Sequence, residues 1–385
     1  MEVKQIKELV NATTKEVLGE TGLQIDDLSD IVSLGETVYN VKQMDNYVRT
    51  LVDQIGKIVF VDRPYSGSVP SVLKDGWEYG AVLEKITMDS LPEAQENDSW
   101  QLSNGTSYDP NVFNGPKVSA KFFNTKSTFE IPMSFADKQV KTAFQNGTQL
   151  NAFMSMIEGA INNSMTVKVD SLISATIANM IAQTLNDGNA NRCVNLLKLY
   201  NDRFGTTLKA ANCITDPDFI RWASFRMGLY ANRLAKISKL FNIGAKERFT
   251  TNDKLHMVML DEFAKAADSY LQSDTYHETF TKLPNAELVT YWQGSGTGYD
   301  FSDTSSIKVT VANSAGGADY TVQQSGILGV AFDNDALGVV CENRRVTTQY
   351  NGRAEFYNNW YKFDAGYFND LNENFIVFYV ADVTE

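Results

Sequence analysis

The chain has 385 residues, of which 43% are hydrophobic and 21% charged, an ordinary balance for a folded protein with core for two or three domains. Its formal net charge of −13 argues against a surface that grips nucleic acid phosphates, and favours solubility at high concentration. Met1–Val10 lacks the apolar core of a signal peptide. No apolar run approaches the roughly 20 residues of a membrane span.

The N-terminal region begins with a predicted amphipathic helix over residues 1–20, because Val3, Ile6 and Leu9 recur at helical spacing. Residues 23–47 are polar and show no strong period. Two interpretations of this segment stand: an extended arm that docks elsewhere, and a locally packed subdomain. A strand is predicted at 57–61.

Residues 62–125 differ in composition from the rest and hold five of the chain's eight prolines. Two strand-like segments, Tyr79–Met88 and Lys117–Pro132, flank the polar segment Asp89–Gly115. This order predicts a long two-stranded projection with a loose tip. Because an isolated hairpin is marginally stable in water, it needs a neighbour. That neighbour is either another subunit or the chain's own domain.

The longest predicted element is a helix over Gln149–Leu185, about 55 Å long at 1.5 Å per residue. It carries two apolar stripes, Phe153, Ile157, Ala160 and Val167, then Val169, Ile173, Ile177 and Met180. The two-residue step from Val167 to Val169 is about 200° of rotation. The sequence therefore predicts a strut whose buried face changes abruptly at this step, which suits a building block better than an enzyme pocket.

Further elements alternate between helical and strand patterns, which predicts an α+β fold. Predicted helices are 133–146, 192–200, 218–241 and 263–271; predicted strands are 254–260, 286–292, 307–311, 319–323, 326–333 and 375–380. Asp216 and Pro217 give the third helix a strong start signal. Its basic side, which includes Arg226 and Arg233, is consistent with a solvated face, a subunit contact or a nucleic acid contact.

Residues suited to catalysis are scarce. His256 lies among apolar strand residues and is predicted to be a satisfied core or interface histidine, and His277 follows a helix next to Glu278. Neither histidine has zinc-site spacing, and no nucleophile elbow is present. The three cysteines, Cys193, Cys213 and Cys341, are widely spaced, which predicts buried free thiols in a reducing compartment.

Two other patterns have features of ligand sites. Gly294–Gly298 resembles part of a dinucleotide fingerprint, but a loop and not a helix follows it. Asp333, Asn334 and Asp335 could bind a hard cation, or they could form a tight polar turn between two strands, which is favoured. We therefore predict no catalytic residue, no cofactor site and no metal site.

The order of parts resembles the major capsid proteins of tailed bacteriophages, with the HK97-type fold, and among them podovirus-like relatives. Local stretches are also similar. They are 51–56 before the first strand, 153–164 at the start of the long helix, 258–261 with Phe263, 330–339, and 360–380. The resemblance extends over nearly the whole chain and rests on architecture more than on an invariant signature.

The resemblance implies a division of the chain. Residues 1–48 would form an N-terminal arm, and 62–132 an extended loop that lies over the adjacent subunit. A peripheral domain would combine 49–61, 133–189 and 345–385 around the spine helix 149–185. Residues 190–344 would form the axial domain at the capsomer centre.

The resemblance also implies a function: a head protein that assembles into hexameric and pentameric capsomers of an icosahedral shell around double-stranded DNA. Its expected location is the virion, after assembly in the bacterial host cytoplasm. Portal, scaffolding and decoration proteins are the expected partners, DNA contacts would be non-specific, and no membrane is involved. Some relatives crosslink a loop lysine to an asparagine; Lys74, Lys85, Asn351, Asn358 and Asn359 are available here. An encapsulin-like compartment shell and a soluble α/β enzyme are the alternatives.

Overall fold

The structure is a computed structural model, and its description covers residues 3–19, 24–25, 30–40, 46–47, 49–51, 69–74, 83–89, 91–92, 94, 96–108, 111, 113, 115–143, 147–272, 286–292, 305–311 and 318–382. The predicted strand at 57–61, His277 and the Gly294–Gly298 loop lie outside the described residues. None of the helices in these ranges is long and apolar enough to cross a bilayer.

Helices and strands are mixed along the chain, as expected for an α+β fold. The helices are α1 (Val3–Leu18), α2 (Ile31–Asn40), α3 (Asp137–Ala143), α4 (Gly147–Asp187), α5 (Leu196–Phe204), α6 (Pro217–Leu234) and α7 (Asp261–Gln272). The strands are β1 (Leu73–Lys74), β2 (Leu83–Met88), β3 (Val118–Phe123), β4 (Lys126–Ala136), β5 (Cys193–Asn195), β6 (Leu255–Leu260), β7 (Ala286–Val289), β8 (Ser306–Val311), β9 (Tyr320–Ser325), β10 (Ile327–Asp333), β11 (Leu337–Asn351), β12 (Phe356–Asn369) and β13 (Phe375–Tyr379).

The strands form two larger sheets and two ribbons. A four-stranded sheet has the order β1-β11-β12-β4, and a five-stranded sheet has the order β5-β13-β10-β6-β7. The ribbons are β2-β3 and β8-β9. Every residue of β10 is buried, because this central strand is covered on both faces of its sheet.

The predicted long helix is confirmed: α4 has 41 residues. The abrupt change of face is wrong, because Val167 is 41% exposed and the buried residues run on through Ile161 and Met165. The buried stripe is Met154, Ile157, Ile161, Met165, Val169, Ile173 and Ile177. Each four-residue step overshoots a full turn by about 40°. The buried face therefore rotates gradually along the helix, by about 200° between Ile157 and Ile177.

The gradual rotation lets α4 contact different strands along its length. Near its start, the ring of Phe153 packs 5.7 Å from that of Phe135 in β4. Further along, Lys168 Nζ lies 4.7 Å from the ring centroid of Phe129, also in β4. Towards its end, the Thr176 carbonyl accepts a hydrogen bond from Asn369 of β12 at 3.3 Å. The helix therefore spans the four-stranded sheet, and alternate residues of β12 join the same core.

Three predicted boundaries were wrong because strand pairing overrides helical pattern. Residues 133–136 belong to β4 and pair with β12, so the helix begins only at Asp137. Residues 193–195 pair with β13, so α5 begins at Leu196. The helix capped by Asp216, whose side chain accepts from Phe219 N at 2.9 Å, ends at Leu234. Beyond it, Ser238 and Arg248 exchange backbone hydrogen bonds.

The described part of the N-terminal region is helical and locally packed. Ile6, Leu9 and Val10 of α1 are buried, and the hydroxyls of Thr14 and Tyr47 lie 3.0 Å apart. The side chain of Asn11 bonds both backbone groups of Ile25. Of the two interpretations of this region, these contacts match the locally packed subdomain.

The strands of the predicted projection belong to different sheets. Residues 73–74 pair in parallel with β11, and β4 pairs with β12, so both belong to the four-stranded sheet. Of the strands in the predicted projection, only β2 and β3 pair with each other and with no other strand. The ribbon that they form, with the described residues between them, is called the hairpin below.

The corrected stripe of α4 can be tested with two substitutions. Ile173 is 1% exposed whereas Val167 is 41% exposed, although both are apolar residues of the same helix. We expect Ile173→Asp to destabilise the unassembled subunit by more than about 4 kcal/mol, because it buries an unpaired charge. Val167→Asp should cost less than about 1 kcal/mol. Thermal unfolding followed by circular dichroism measures both; equal losses would contradict the gradual rotation.

Candidate functional site

The two faces of the hairpin have opposite character. β2 and β3 pair antiparallel from Leu83 opposite Phe123 to Met88 opposite Val118, so alternate side chains share a face. The inner face, directed towards the chain's own sheets, is partly buried and comprises Lys85, Thr87, Ser119, Lys121 and Phe123. The outer face is exposed and comprises Glu84, Ile86, Met88, Val118, Ala120 and Phe122.

The outer face is largely apolar although it faces solvent. Ile86 is 66% exposed, Phe122 61% and Val118 57%. Further exposed apolar residues lie in the segment between Met88 and Val118, where Trp100 is 96% and Phe113 91% exposed. Leu91, Leu102 and Tyr108 in the same segment are also exposed.

This arrangement reverses the usual pattern of an antiparallel ribbon, in which apolar residues face the core and polar residues face water. Monomeric proteins rarely expose contiguous apolar patches of this kind, and larger ones mark interaction sites. The outer face of the hairpin is therefore the strongest candidate for a functional surface in the described part of the chain.

The inner face is attached to the rest of the chain mainly through charged groups. Lys85 Nζ lies 2.9 Å from Asp370 Oδ2 and 2.9 Å from Glu373 Oε1. Arg248 donates to the Met88 carbonyl at 3.1 Å. Although burial opposes the charge of Lys85, the carboxylates of Glu373 and Asp370 raise its pKa. The ring of Phe123, 5.2 Å from that of Phe368, adds an apolar contact.

The residues predicted to be structural are held by structural partners. His256 Nε2 lies 3.1 Å from Asn334 Oδ1, and its ring packs on Phe332, so this partly buried histidine has structural partners. Asp333 accepts from the Thr250 hydroxyl at 2.8 Å and from the Asp335 amide at 2.9 Å. The acidic cluster is thus the tight turn between β10 and β11.

The three cysteines are free, with Cys193 and Cys213 buried and Cys341 partly buried. Burial raises the pKa of each thiol to about 11. These thiols are therefore protonated and unreactive at neutral pH.

A cleft of about 570 Å³ between α6, β6 and β7 is the place where an enzyme site would be sought. Its polar lining includes Asn232, Asp253, His256 and Glu287. Glu287 accepts from the amide of Ser71 at 3.0 Å and from its hydroxyl at 2.5 Å. Since His256 is likewise bonded to Asn334, these two side chains tie elements together instead of forming a nucleophile and base pair.

The lysines and asparagines considered for crosslinking do not meet. Lys85 lies in the ion pairs described above, and Lys74 donates to the Ser71 carbonyl and to Asn334. Asn358 accepts from Ser134 at 2.6 Å, and Asn359 is buried. The Asn351 side chain caps the turn between β11 and β12. Within the described residues the structure brings none of these lysines next to these asparagines, and a crosslink between subunits is neither predicted nor tested by these contacts.

The basic side of α6 is engaged within the chain. Arg226 lies over the rings of Trp222 and Tyr230, and Arg233 lies over Tyr230. Arg221 pairs with Asp218 at 3.5 Å. These contacts do not decide between the three alternatives for this side of the helix, which are a solvated face, a subunit contact and a nucleic acid contact.

On the face of the four-stranded sheet opposite α4, Asp364 is the centre of a group of polar contacts. Asp364 binds Arg345 through two bonds, of 3.0 and 3.1 Å, and accepts from Thr128 and Asn343 at 2.7 Å. Burial opposes the charge, but these donors together lower the pKa of Asp364 to about 2.

The comparisons agree with this architecture. The chain matches the profile of the Phi29-like phage major capsid protein over residues 10–379. A curated relative, the major capsid protein of Bacillus phage GA-1, is 27% identical over 146 residues, which span 36% of this chain and 28% of that protein. The chain thus spans little more than a quarter of that relative's length.

Two solved structures show the same fold. The capsid structure of Staphylococcus phage Andhra has a TM-score of 0.52 at 12% identity, covering 83% of this chain and 86% of that chain. A chain in the structure of the head fiber and inner core protein gp22 of native bacteriophage P68 has the same score and coverage at 10% identity. The fold is HK97-like, and the chain belongs to the Phi29-like phage major capsid protein family.

Sequence reasoning missed the residues that hold the inner face of the hairpin, Asp370, Glu373 and Arg248. It also missed the polarity of the two faces. The signal was present, because apolar and polar residues alternate from Val118 to Phe122, with Lys121 on the face opposite Val118 and Phe122. What the alternation alone does not reveal is which of the two faces lies towards the chain's own sheets.

The contacts of Asp364 predict an acid dependence. Since its pKa is lowered in the folded state, its contribution is complete above the unfolded value near 3.9 and is lost as the pH falls through about 2. We expect this contribution to be at most about 2 kcal/mol. Asp364→Asn should flatten the fall of subunit stability between about pH 4 and pH 2 in urea titrations. Lys362→Met, which removes a more exposed ion pair, should leave the slope unchanged; an unchanged slope in Asp364→Asn would refute the assignment.

Proposed function

We propose that this protein is the head subunit that assembles into hexameric and pentameric capsomers of an icosahedral shell around the double-stranded DNA of a tailed phage. In this proposal the outer face of the hairpin lies over an adjacent copy of the chain. The observation that carries it is the exposed apolar face of Ile86, Val118 and Phe122 on a ribbon whose inner face is charged.

The energy available from this surface supports the proposal. Burying one large apolar side chain contributes about 1.5–3 kcal/mol. The exposed apolar residues of the hairpin are Ile86, Met88, Leu91, Trp100, Leu102, Tyr108, Phe113, Val118 and Phe122. Covering most of them would contribute on the order of 10 kcal/mol before the costs of association are subtracted. A free energy of this size can hold together an interface that is repeated between neighbouring subunits of a ring.

The geometry of such a contact favours closed rings. A hairpin that covers a different surface of its neighbour makes a heterologous contact, in which each copy both gives and receives. Heterologous contacts close into rings when the rotation between copies divides a full turn. The same contact can therefore serve six-fold and five-fold capsomers if the angle of the hairpin adjusts slightly.

We further propose which elements form each domain. The peripheral domain (49–61, 133–189 and 345–385) would contain α4 and most of the four-stranded sheet, and the axial domain (190–344) would contain α5, α6 and α7. The strand β13 pairs with β10 and β5, so it would carry the chain from the peripheral domain back into the five-stranded sheet. Residues 1–48 would form the arm, with α1 packed locally. Residues 62–132 would supply the extended loop, with the hairpin as its projecting part.

The partners and location follow from the same proposal. Portal, scaffolding and decoration proteins would contact the shell in the host cytoplasm and in the virion. The net charge of −13 would leave packaged DNA loosely held, because like charges repel at the inner wall. The role is mechanical and involves no catalysis. No observation favours an encapsulin-like compartment or a soluble α/β enzyme over this proposal.

The proposal predicts that two substitutions block assembly without affecting the fold. Ile86→Ser with Phe122→Ser removes exposed apolar surface, so the free subunit should keep its unfolding temperature while shells are lost. Circular dichroism measures the fold, and size-exclusion chromatography with negative-stain microscopy measures assembly.

The matched control changes an exposed pair on the other ribbon. Lys308 and Gln323 lie opposite each other on β8 and β9 and are both exposed. Lys308→Ser with Gln323→Ser should assemble normally. Normal shells from the hairpin variant, or equal loss in the control, would refute the role of the outer face.

A further inference from the structure

The inner face of the hairpin contains two like charges directly opposite each other. Lys85 of β2 and Lys121 of β3 are register partners, and both point towards the chain's own sheets. Like charges at opposed cross-strand positions destabilise a ribbon. The hairpin therefore needs a negative group from elsewhere to neutralise this pair.

A single carboxylate meets that need. Asp370 Oδ2 lies 2.9 Å from Lys85 Nζ, and Asp370 Oδ1 lies 3.2 Å from Lys121 Nζ. Its side chain is only 2% exposed, so water screens these interactions weakly. The Asn372 amide donates to Asp370 Oδ1 at 3.1 Å, and the Asp370 amide donates to the Ala336 carbonyl at 2.7 Å. The carboxylate is thus fixed by the turn between β12 and β13.

The charged groups around Asp370 form a short network. Glu373 pairs with Lys85 at 2.9 Å and with Arg248 at 3.2 Å. Lys85 also donates to the Asp335 carbonyl at 3.1 Å, which satisfies the third hydrogen of its ammonium group. At the edge of the network, Lys246 pairs with Asp89 at 2.6 Å, and Lys254 with Asp335 at 3.4 Å. Among the residues that the structure describes, Asp370 is the one that contacts both strands of the hairpin through ion pairs.

We infer that Asp370 is the positioning residue that seats the hairpin on its own subunit and so sets the angle at which the outer face meets a neighbouring copy. The first half of this inference concerns the free subunit, and the second half rests on the proposed function. Neutralising Asp370 leaves Lys85 and Lys121 opposed in a partly buried site with Glu373 shared between Lys85 and Arg248. The base of the hairpin then separates from the turn between β12 and β13.

Acid should have the same effect as neutralisation. Burial opposes the charge of Asp370, but Lys85 and Lys121 lower its pKa. Its contribution is therefore present at neutral pH and is lost only in acid, below the ordinary range of an aspartate. Glu373, Asp335, Asp89, Arg248, Lys246 and Lys254 also face this region, so acid tests the network and substitution tests Asp370 itself.

The test uses the full-length, unassembled subunit and chemical labelling read by mass spectrometry. Carbodiimide labelling of Glu373 and acylation of Lys85 report whether the hairpin lies on the turn, because both side chains are largely covered there. Asp370→Asn keeps the shape and the Asn372 hydrogen bond but removes the charge. We expect labelling of both residues to rise several-fold, while the buried carboxylate of Asp333 stays protected.

Two further variants separate positioning from general stability. Asp364→Asn removes an equally well bonded carboxylate from the four-stranded sheet and should leave labelling at Glu373 and Lys85 unchanged. Adding Lys121→Met to Asp370→Asn removes one of the opposed charges, so protection of both labelled residues should return. A merely structural aspartate would not be rescued by removing a lysine.

Unchanged labelling in Asp370→Asn, a parallel rise at Asp333, or no rescue by Lys121→Met overturns the inference. In assembly trials, Asp370→Asn should give misshapen or no shells and the rescued variant should give shells. If labelling behaves as expected but wild-type protein forms no shells, the proposed function fails while the seating of the hairpin on its own subunit stands.

Discussion

The hairpin is constrained by where its charges lie. Lys85 and Lys121 face the chain's own sheets, and Ile86, Val118 and Phe122 face outward. A ribbon built in this way is attached to its own subunit mainly by ion pairs. Its apolar residues face away from that subunit, so burying them requires another molecule. The free energy of covering the outer face becomes available only when a second molecule arrives. The rest of the structure fits a subunit that is completed by its copies.

The remainder of the chain is built to hold that hairpin rigidly. The buried stripe on α4 rotates slowly along the helix. The start of the helix therefore packs against β4, and a later part of the helix contacts β12. The turn between β12 and β13, which carries Asp370, is anchored to the body by the Ala336 carbonyl. Asp370 therefore joins the hairpin to the turn that links β12 of the four-stranded sheet with β13 of the five-stranded sheet.

Much of the fold could be predicted from sequence because local patterns agreed with it. The helix at 149–185, the start signal at Asp216 and Pro217, and the closing strand at 375–380 all follow from spacing and capping. Boundaries failed where tertiary pairing decided, as at Cys193 and Met133, which join strands despite helical neighbours. The burial of Met165 instead of Val167 was not predicted either. Residues two positions apart on a helix lie about 200° from each other, so these two side chains face nearly opposite directions, and only the packing of the neighbouring strands decides which one is buried.

The candidate site was predictable only in outline. A projection over a neighbour followed from the resemblance and from the prolines. The ion pair between Lys121 and Asp370 joins residues 249 positions apart in the chain, and Lys85 is still further from Asp370 in sequence, which no local pattern can reveal. The most direct measurement of the central claim is a cryo-electron microscopy map of assembled shells. We expect the map to show the side chains of Ile86 and Phe122 in contact with a different copy of the chain. A map in which they face solvent, or fold onto their own subunit, would contradict this claim.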